Sequence, residues 1–237
     1  MSEYNNEVYR NENQLTFNEY MSKVFMILAV GLAITTASAL VFSLTYVNIY
    51  YALGDAFFGL VIGLAVAELV VAIIFSARLR KLSKGACWCL YIAYSVLTGF
   101  SLSGILLTYT ASSVWICFAI TAVMFVSMAV IGHTTKVDLT RFSGYIVPGL
   151  VALIIATILN ALFFRGVYLQ WIITYIGILM FLFLIAYDMQ MLRNYYSAGF
   201  TDEEMNDKLM IMAAFQLYLD FINLFIRILR IFGKRRD

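Results

Sequence analysis

Charge is scarce in this chain: Asp, Glu, Lys and Arg make up 13% of its 237 residues, against roughly 25% in a typical soluble domain. Cysteine is limited to Cys87, Cys89 and Cys117, all inside apolar blocks, and His133 is the single histidine. Residues two apart on a helix do not share a face, so this inventory excludes a zinc site of ordinary spacing and a disulfide framework. The thiols read as buried and inert. A net charge of +2, with no basic stripe interleaved with aromatics, excludes a nucleic-acid partner. With one proline and no Pro/Gly/Ser-rich or low-complexity linker, nothing divides the chain into separate domains. Met1–Ser22 is polar and lacks the apolar stretch of a cleavable leader, so the first apolar segment is expected to serve as the insertion signal.

What is present is hydrocarbon. Apolar residues account for 63% of the chain, mean hydropathy is +0.88, and the apolar residues fall in blocks too long for half-buried elements of a soluble fold. The blocks predict an all-α membrane protein with seven spans: Val24–Thr45, Ala56–Ser76, Gly85–Thr108, Ser113–Gly132, Gly144–Phe164, Tyr168 to about Arg193, and Leu209–Phe232. A 1–22 tail, a 23–232 transmembrane domain and a short basic 233–237 tail follow from this division. Short loops make sequential helices antiparallel neighbours.

Basic residues orient the bundle. Arg78, Arg80, Lys81 and Lys84 follow the second span, Lys136 and Arg141 the fourth, and Arg193 and Lys208 the sixth. The opposite loops carry only Arg165, which places the N-terminus in the cytoplasm. The tail residues Lys234, Arg235 and Arg236 conflict with this: seven crossings put them on the poorly basic side. Either they break the rule, or the last segment does not fully cross; seven crossings are expected. Small residues recur every four positions at Gly59, Gly63 and Ala67 and again at Ser95, Gly99 and Ser103. That spacing suits close helix packing in lipid, and equally the background of Gly/Ala/Ser-rich membrane helices.

An Asp at the centre of a span costs roughly 2.5–3.5 kcal/mol on insertion scales and needs a reason. Glu68, Asp188 and Asp220 are the acids in question. In the last span Gln216, Asp220, Asn223, Arg227 and Arg230 fall within about 80° of one another at 100° per residue. Such a seam faces other helices or water, so the last span is expected at the centre. Asp188 lies about 12 Å inside the cytoplasmic end of the sixth span and Asp220 about 16 Å inside that of the seventh. The two carboxyls are therefore expected to meet. Facing each other in a low-dielectric bundle they cannot both ionise cheaply and would share a proton. That arrangement suits sensing pH and offering oxygen to a hard cation such as Ca²⁺; alternatively, each Asp is a protonated link between helices. Glu68 either joins this interior or pairs with a loop cation.

The last span, Leu217-Tyr218-Leu219-Asp220-Phe221-Ile222-Asn223-Leu224-Phe225 running on to Leu229-Arg230, resembles the C-terminal signature of the Bax inhibitor-1 family. Ala186-Tyr187-Asp188 resembles its sixth-helix motif, and Thr135–Thr140, Gly144 and Asn160 also match. The resemblance runs from the second span to the end, and the compact loops are closest to bacterial members. It implies residence in a bacterial plasma (inner) membrane, with the last of seven helices wrapped by the other six. It also implies a pH-sensitive Ca²⁺ leak sensed by Asp188 and Asp220, which would contact the ion transiently. Gln216, Asn223 and Arg227 would line the polar interior with Glu68. Arg78 is the nearest candidate for the family's second-helix arginine that latches the sixth-helix aspartate. The stretch Ser197–Glu204 is longer than in compact bacterial members. No cofactor is implied; the bilayer, Ca²⁺ and H⁺ are the expected partners. Rival readings are a proton-coupled cation antiporter and a non-transporting regulator of another membrane protein. An intramembrane aspartyl protease fits poorly, because no Gly-x-Gly precedes Asp220 and Pro148 is followed by Gly149 rather than Ala-Leu; no enzymatic activity is expected.

Overall fold

A computed structural model describes residues 16–198 and 203–236. The described chain is helical, and seven helices are long and apolar enough to cross a membrane. They are α1 (Phe17–Leu53), α2 (Ala56–Arg78), α3 (Lys84–Thr108), α4 (Ala111–Thr134), α5 (Ser143–Leu159), α6 (Val167–Ala198) and α7 (Glu203–Phe232). Single turns of 3₁₀-helix follow α2 (Leu79–Lys81) and precede α5 (Leu139–Phe142), and a π-turn, Asn160–Phe164, closes α5.

Several helices outrun the apolar blocks. The first starts at Phe17 because Thr16 and Glu19 form a reciprocal capping box, with the Thr16 N–H donating to Glu19 Oε2 at 2.7 Å and the Glu19 N–H to Thr16 Oγ1 at 3.3 Å. At 1.5 Å per residue, α1 is about 55 Å long, well beyond a hydrocarbon core of about 30 Å. Its first turns therefore belong to the segment read as a tail. Similarly, α7 begins six residues before Leu209, at Glu203. The longer stretch Ser197–Glu204 lies partly outside the described residues.

The two faces of the bundle are fixed by contacts between loops. On one, Lys84 pairs with Asp207, and Lys208 Nζ donates to the Leu82 carbonyl at 3.1 Å. The start of α1 joins that face, where Phe17 stacks on His133 with centroids 5.3 Å apart. On the other, the tail after α7 pairs with the α3–α4 turn: the Thr110 N–H donates to the Lys234 carbonyl and the Arg236 N–H to that of Thr108, each at 2.9 Å. The last helix therefore runs from one face of the bundle to the other, and its basic tail lies on the face opposite the α2–α3 loop.

Burial is concentrated at the end of the chain. In the apolar stretch of α7, 78% of residues are buried, against 39% in α6 and 6% in α2. Yet α7 is not packed evenly by six neighbours. It lies against α1, α3, α4 and α6, while α2 and α5 pack chiefly on the outer sides of α3 and α6 and leave much apolar surface to lipid. Phe75 of α2 still reaches Phe215 of α7, with ring centroids 4.8 Å apart.

The two small-residue stripes separate cleanly. A Cβ added at Gly99 would sit 2.7 Å from the Thr35 carbonyl oxygen and against Ser38, so α3 and α1 touch through that position. Gly59 and Gly63 of α2 face open space with nothing within 4 Å, so that stripe is not a packing seam in this chain. Cys87 and Cys117 are buried as expected, but Cys89 is exposed on the lipid side of α3; all three are free.

Candidate functional site

Asp220 reaches the interior because it lies on the polar seam of the most buried helix, and it is only 5% exposed. Asp188, on the antiparallel neighbour α6, comes to the same level. The two carboxyls turn toward the same space between α6 and α7. Both line one cavity of about 650 Å³ enclosed by α5, α6 and α7. Asp220 Oδ2 is buried with no hydrogen-bond partner among the described residues.

Four of the five seam residues line this cavity: Gln216, Asp220, Asn223 and Arg227. Ser76, at the end of α2, and Ser143, at the start of α5, mark its end nearest the face carrying the α2–α3 loop. Along α7 it extends from Gln216 to Arg227, about 16 Å at 1.5 Å per residue. Asn223 turns its amide back onto the Leu219 carbonyl at 2.8 Å.

Arg227 lines the far end. Its guanidinium donates to the Ile173 carbonyl at 3.2 Å and stands 5.3 Å above the Phe181 ring. It fits because residue 177 is glycine: a Cβ there would collide with the guanidinium. Arg227 Nε has no hydrogen-bond partner among the described residues. The fifth seam residue, Arg230, lies one turn further on and opens into a different cavity.

Two expected members lie elsewhere. Glu68 neither joins the cavity nor pairs with a loop cation; it accepts a hydrogen bond from Ser101 of α3 at 2.7 Å. Arg78 is exposed at the end of α2 and does not line the cavity. Among the described residues the ion pairs are Lys84–Asp207, Arg141–Asp138 and Lys208–Glu204, so no arginine latches Asp188 there.

Other polar contacts surrounding the site were missed from sequence. Gln190, 3% exposed, donates from Nε2 to the Val137 carbonyl at 2.9 Å and accepts the Leu139 N–H at 2.7 Å. It pins the Thr135–Thr140 segment to α6, two residues beyond Asp188. Within that segment the Thr140 hydroxyl and backbone N–H hold the exposed Asp138 carboxyl below the usual carboxylate range, with Arg141 adding to the effect. Deeper in the bundle, Thr35 Oγ1 and Tyr218 Oη lie 2.6 Å apart, and Thr35 also donates to the Ser95 carbonyl at 3.0 Å, joining α1, α3 and α7. A polar residue inside an apolar block was the available signal for Gln190 and Thr35; their partners were not legible.

The cavity offers few ligands for a resident metal. Among the described residues there is no group of three or more His, Cys, Asp or Glu side chains able to hold an ion. Two carboxyls with the amide oxygens of Gln216 and Asn223 fall short of the six to eight oxygens that Ca²⁺ takes when held. The arrangement suits passing contact with a cation and exchange of a proton.

Residues 17–237 match the profile of a family described as "Inhibitor of apoptosis-promoting Bax1". The chain is 39% identical over 225 residues to the "Inner membrane protein YbhL" of Escherichia coli K12, covering 92% of each chain. It is 37% identical over 222 residues to a protein of Borreliella burgdorferi, covering 93% of this chain and 94% of the relative. A membrane protein of Streptococcus pyogenes serotype M1 is 31% identical over 236 residues, covering 97% and 99%.

Proposed function

As the chain belongs to the Bax inhibitor-1 family of membrane proteins, we propose that it is a pH-sensitive Ca²⁺-permeable leak of a bacterial inner membrane, conducting rather than catalysing. The observation that carries this reading is that Asp188 and Asp220 line one cavity, together with Gln216, Asn223 and Arg227, within an otherwise apolar bundle. Intramembrane acids are retained where they serve an ion or proton pathway. On this reading, a proton taken up by the pair would let the carboxyls hydrogen-bond and draw α6 and α7 together. Loss of that proton sets two like charges against each other and frees carboxylate oxygens for a passing cation. Arg227 lines the far end of the cavity, and on this reading its guanidinium is the barrier that a passing cation meets.

The test is Ca²⁺ flux into vesicles containing the purified protein, from about pH 5 to pH 8, a range spanning a proton-sharing carboxyl pair. The wild-type chain should show a pH-dependent flux, and Asp188→Asn and Asp220→Asn should each flatten the profile. No flux above empty vesicles at any pH would discard the leak and favour a regulator acting on another membrane protein. Uphill Ca²⁺ movement driven by an imposed pH gradient would replace the leak with an antiporter.

A further inference from the structure

A second polar cavity, of about 590 Å³, lies at the opposite face of the bundle, one helical turn beyond Arg227. Arg165, Arg230 and Arg235 all line it, together with Tyr109, Gln170 and Trp171, and no carboxylate among the described residues does. The three arginines come from different elements, and local structure fixes each backbone. Arg165 has a left-handed backbone at φ 47°, uncommon for a residue with a side chain. Its N–H donates to the Asn160 carbonyl at 2.7 Å, and the Asn160 side chain accepts the Gly166 N–H at 3.0 Å. Arg230 ends α7, and Arg235 pairs through its backbone with Tyr109.

Three exposed guanidinium groups gathered at one cavity whose lining has no carboxylate among the described residues give it a positive potential that favours an anion. Guanidinium groups match phosphate oxygens in a bidentate geometry. The surroundings identify the source of that phosphate. Tyr109 and Trp171 line the cavity, and Phe163, Phe164 and Tyr168 beside it are 67–89% exposed on the outer surface, the arrangement of an aromatic belt at headgroup depth. An anion here also accounts for arginines gathered on the face where the charge rule predicts few.

We propose that this cavity binds the phosphodiester headgroup of an anionic phospholipid in the leaflet on that face. The full chain carrying Trp88→Phe and Trp115→Phe retains Trp171 as its only tryptophan. It would be placed in nanodiscs with increasing fractions of brominated phosphatidylglycerol or brominated phosphatidylcholine, with quenching of Trp171 as the readout. Half-quenching should need at least about fivefold less phosphatidylglycerol than phosphatidylcholine, because one arginine near a charged headgroup contributes about that factor. Arg165→Gln with Arg235→Gln should remove the preference. Equal quenching by the two lipids in the wild-type background overturns the proposal, whatever the variants do. A preference that survives in the double variant, with helical content unchanged, overturns the assignment to these arginines. A preference abolished by inorganic phosphate, but not by chloride at equal ionic strength, assigns the cavity to soluble phosphate and overturns the lipid.

Discussion

Arg227 is the residue on which the proposed barrier to conduction rests. It stands at the end of the aspartate cavity, held by one carbonyl bond and by the space that Gly177 leaves. Arg227→Gln removes the charge while keeping a donor for the Ile173 carbonyl. It is expected to raise basal Ca²⁺ flux in the vesicle assay several-fold at every pH, while the pH profile, set by Asp188 and Asp220, keeps its shape. Asp138 behaves differently, because it lies in the exposed segment that Gln190 pins. Its carboxyl is held below its ordinary value, so its contribution to loop order is complete above the unfolded value of about pH 4. That contribution is lost as pH falls through the lower folded value. Amide exchange at Thr140, corrected for intrinsic rates, should therefore rise only in that acid range. In Asp138→Asn the acid-dependent rise should disappear.

At the scale of the helix, the two small-residue stripes make opposite predictions from identical spacing. Gly99→Leu forces a side chain into the Thr35 carbonyl and should destabilise the α1–α3 pair by about 1–3 kcal/mol, an overpacking cost. Gly63→Leu projects into lipid and should change stability by no more than about 0.5 kcal/mol. Reversible unfolding in mixed detergent would separate them; equal effects would count against the packing described. The sequence showed both stripes but could not rank them, because spacing identifies a face and says nothing of what lies opposite. The polar seam of α7 was more legible, since only the interior or water accepts Gln216, Asp220, Asn223 and Arg227 together. Depth counting brought Asp188 to Asp220 for the same reason: helical rise is a constant. Glu68 and Arg78 were not legible in this way, because their surroundings depend on helix rotation and on a neighbour's side chain, Ser101 for Glu68, that no periodicity specifies.

For the molecule as a whole, hydropathy alone was enough for seven helices, and loop charge for their alternation. The tail was the exception, because three charges beyond the last span argued against the crossing that the apolar length required. Backbone pairing between Arg235 and Tyr109 settles it on the face of the α3–α4 turn. In a chain whose three cysteines are replaced by serine, Lys234→Cys and Lys81→Cys should react with a membrane-impermeant maleimide from opposite sides of sealed vesicles. Labelling of both from one side would show that α7 does not cross.

The most buried helix is also the last of the seven to be made. Six helices leave the ribosome and enter the bilayer before the segment that joins α1, α3, α4 and α6 exists, and until then Thr35 lacks its partner Tyr218. The α1–α3 and α4–α6 pairs pack directly on each other, so α7 joins two pairs that can form before it rather than loose helices. A stop codon just ahead of Glu203 would spare more than four-fifths of the chain and still leave a shell without its core, a product for membrane quality control to remove.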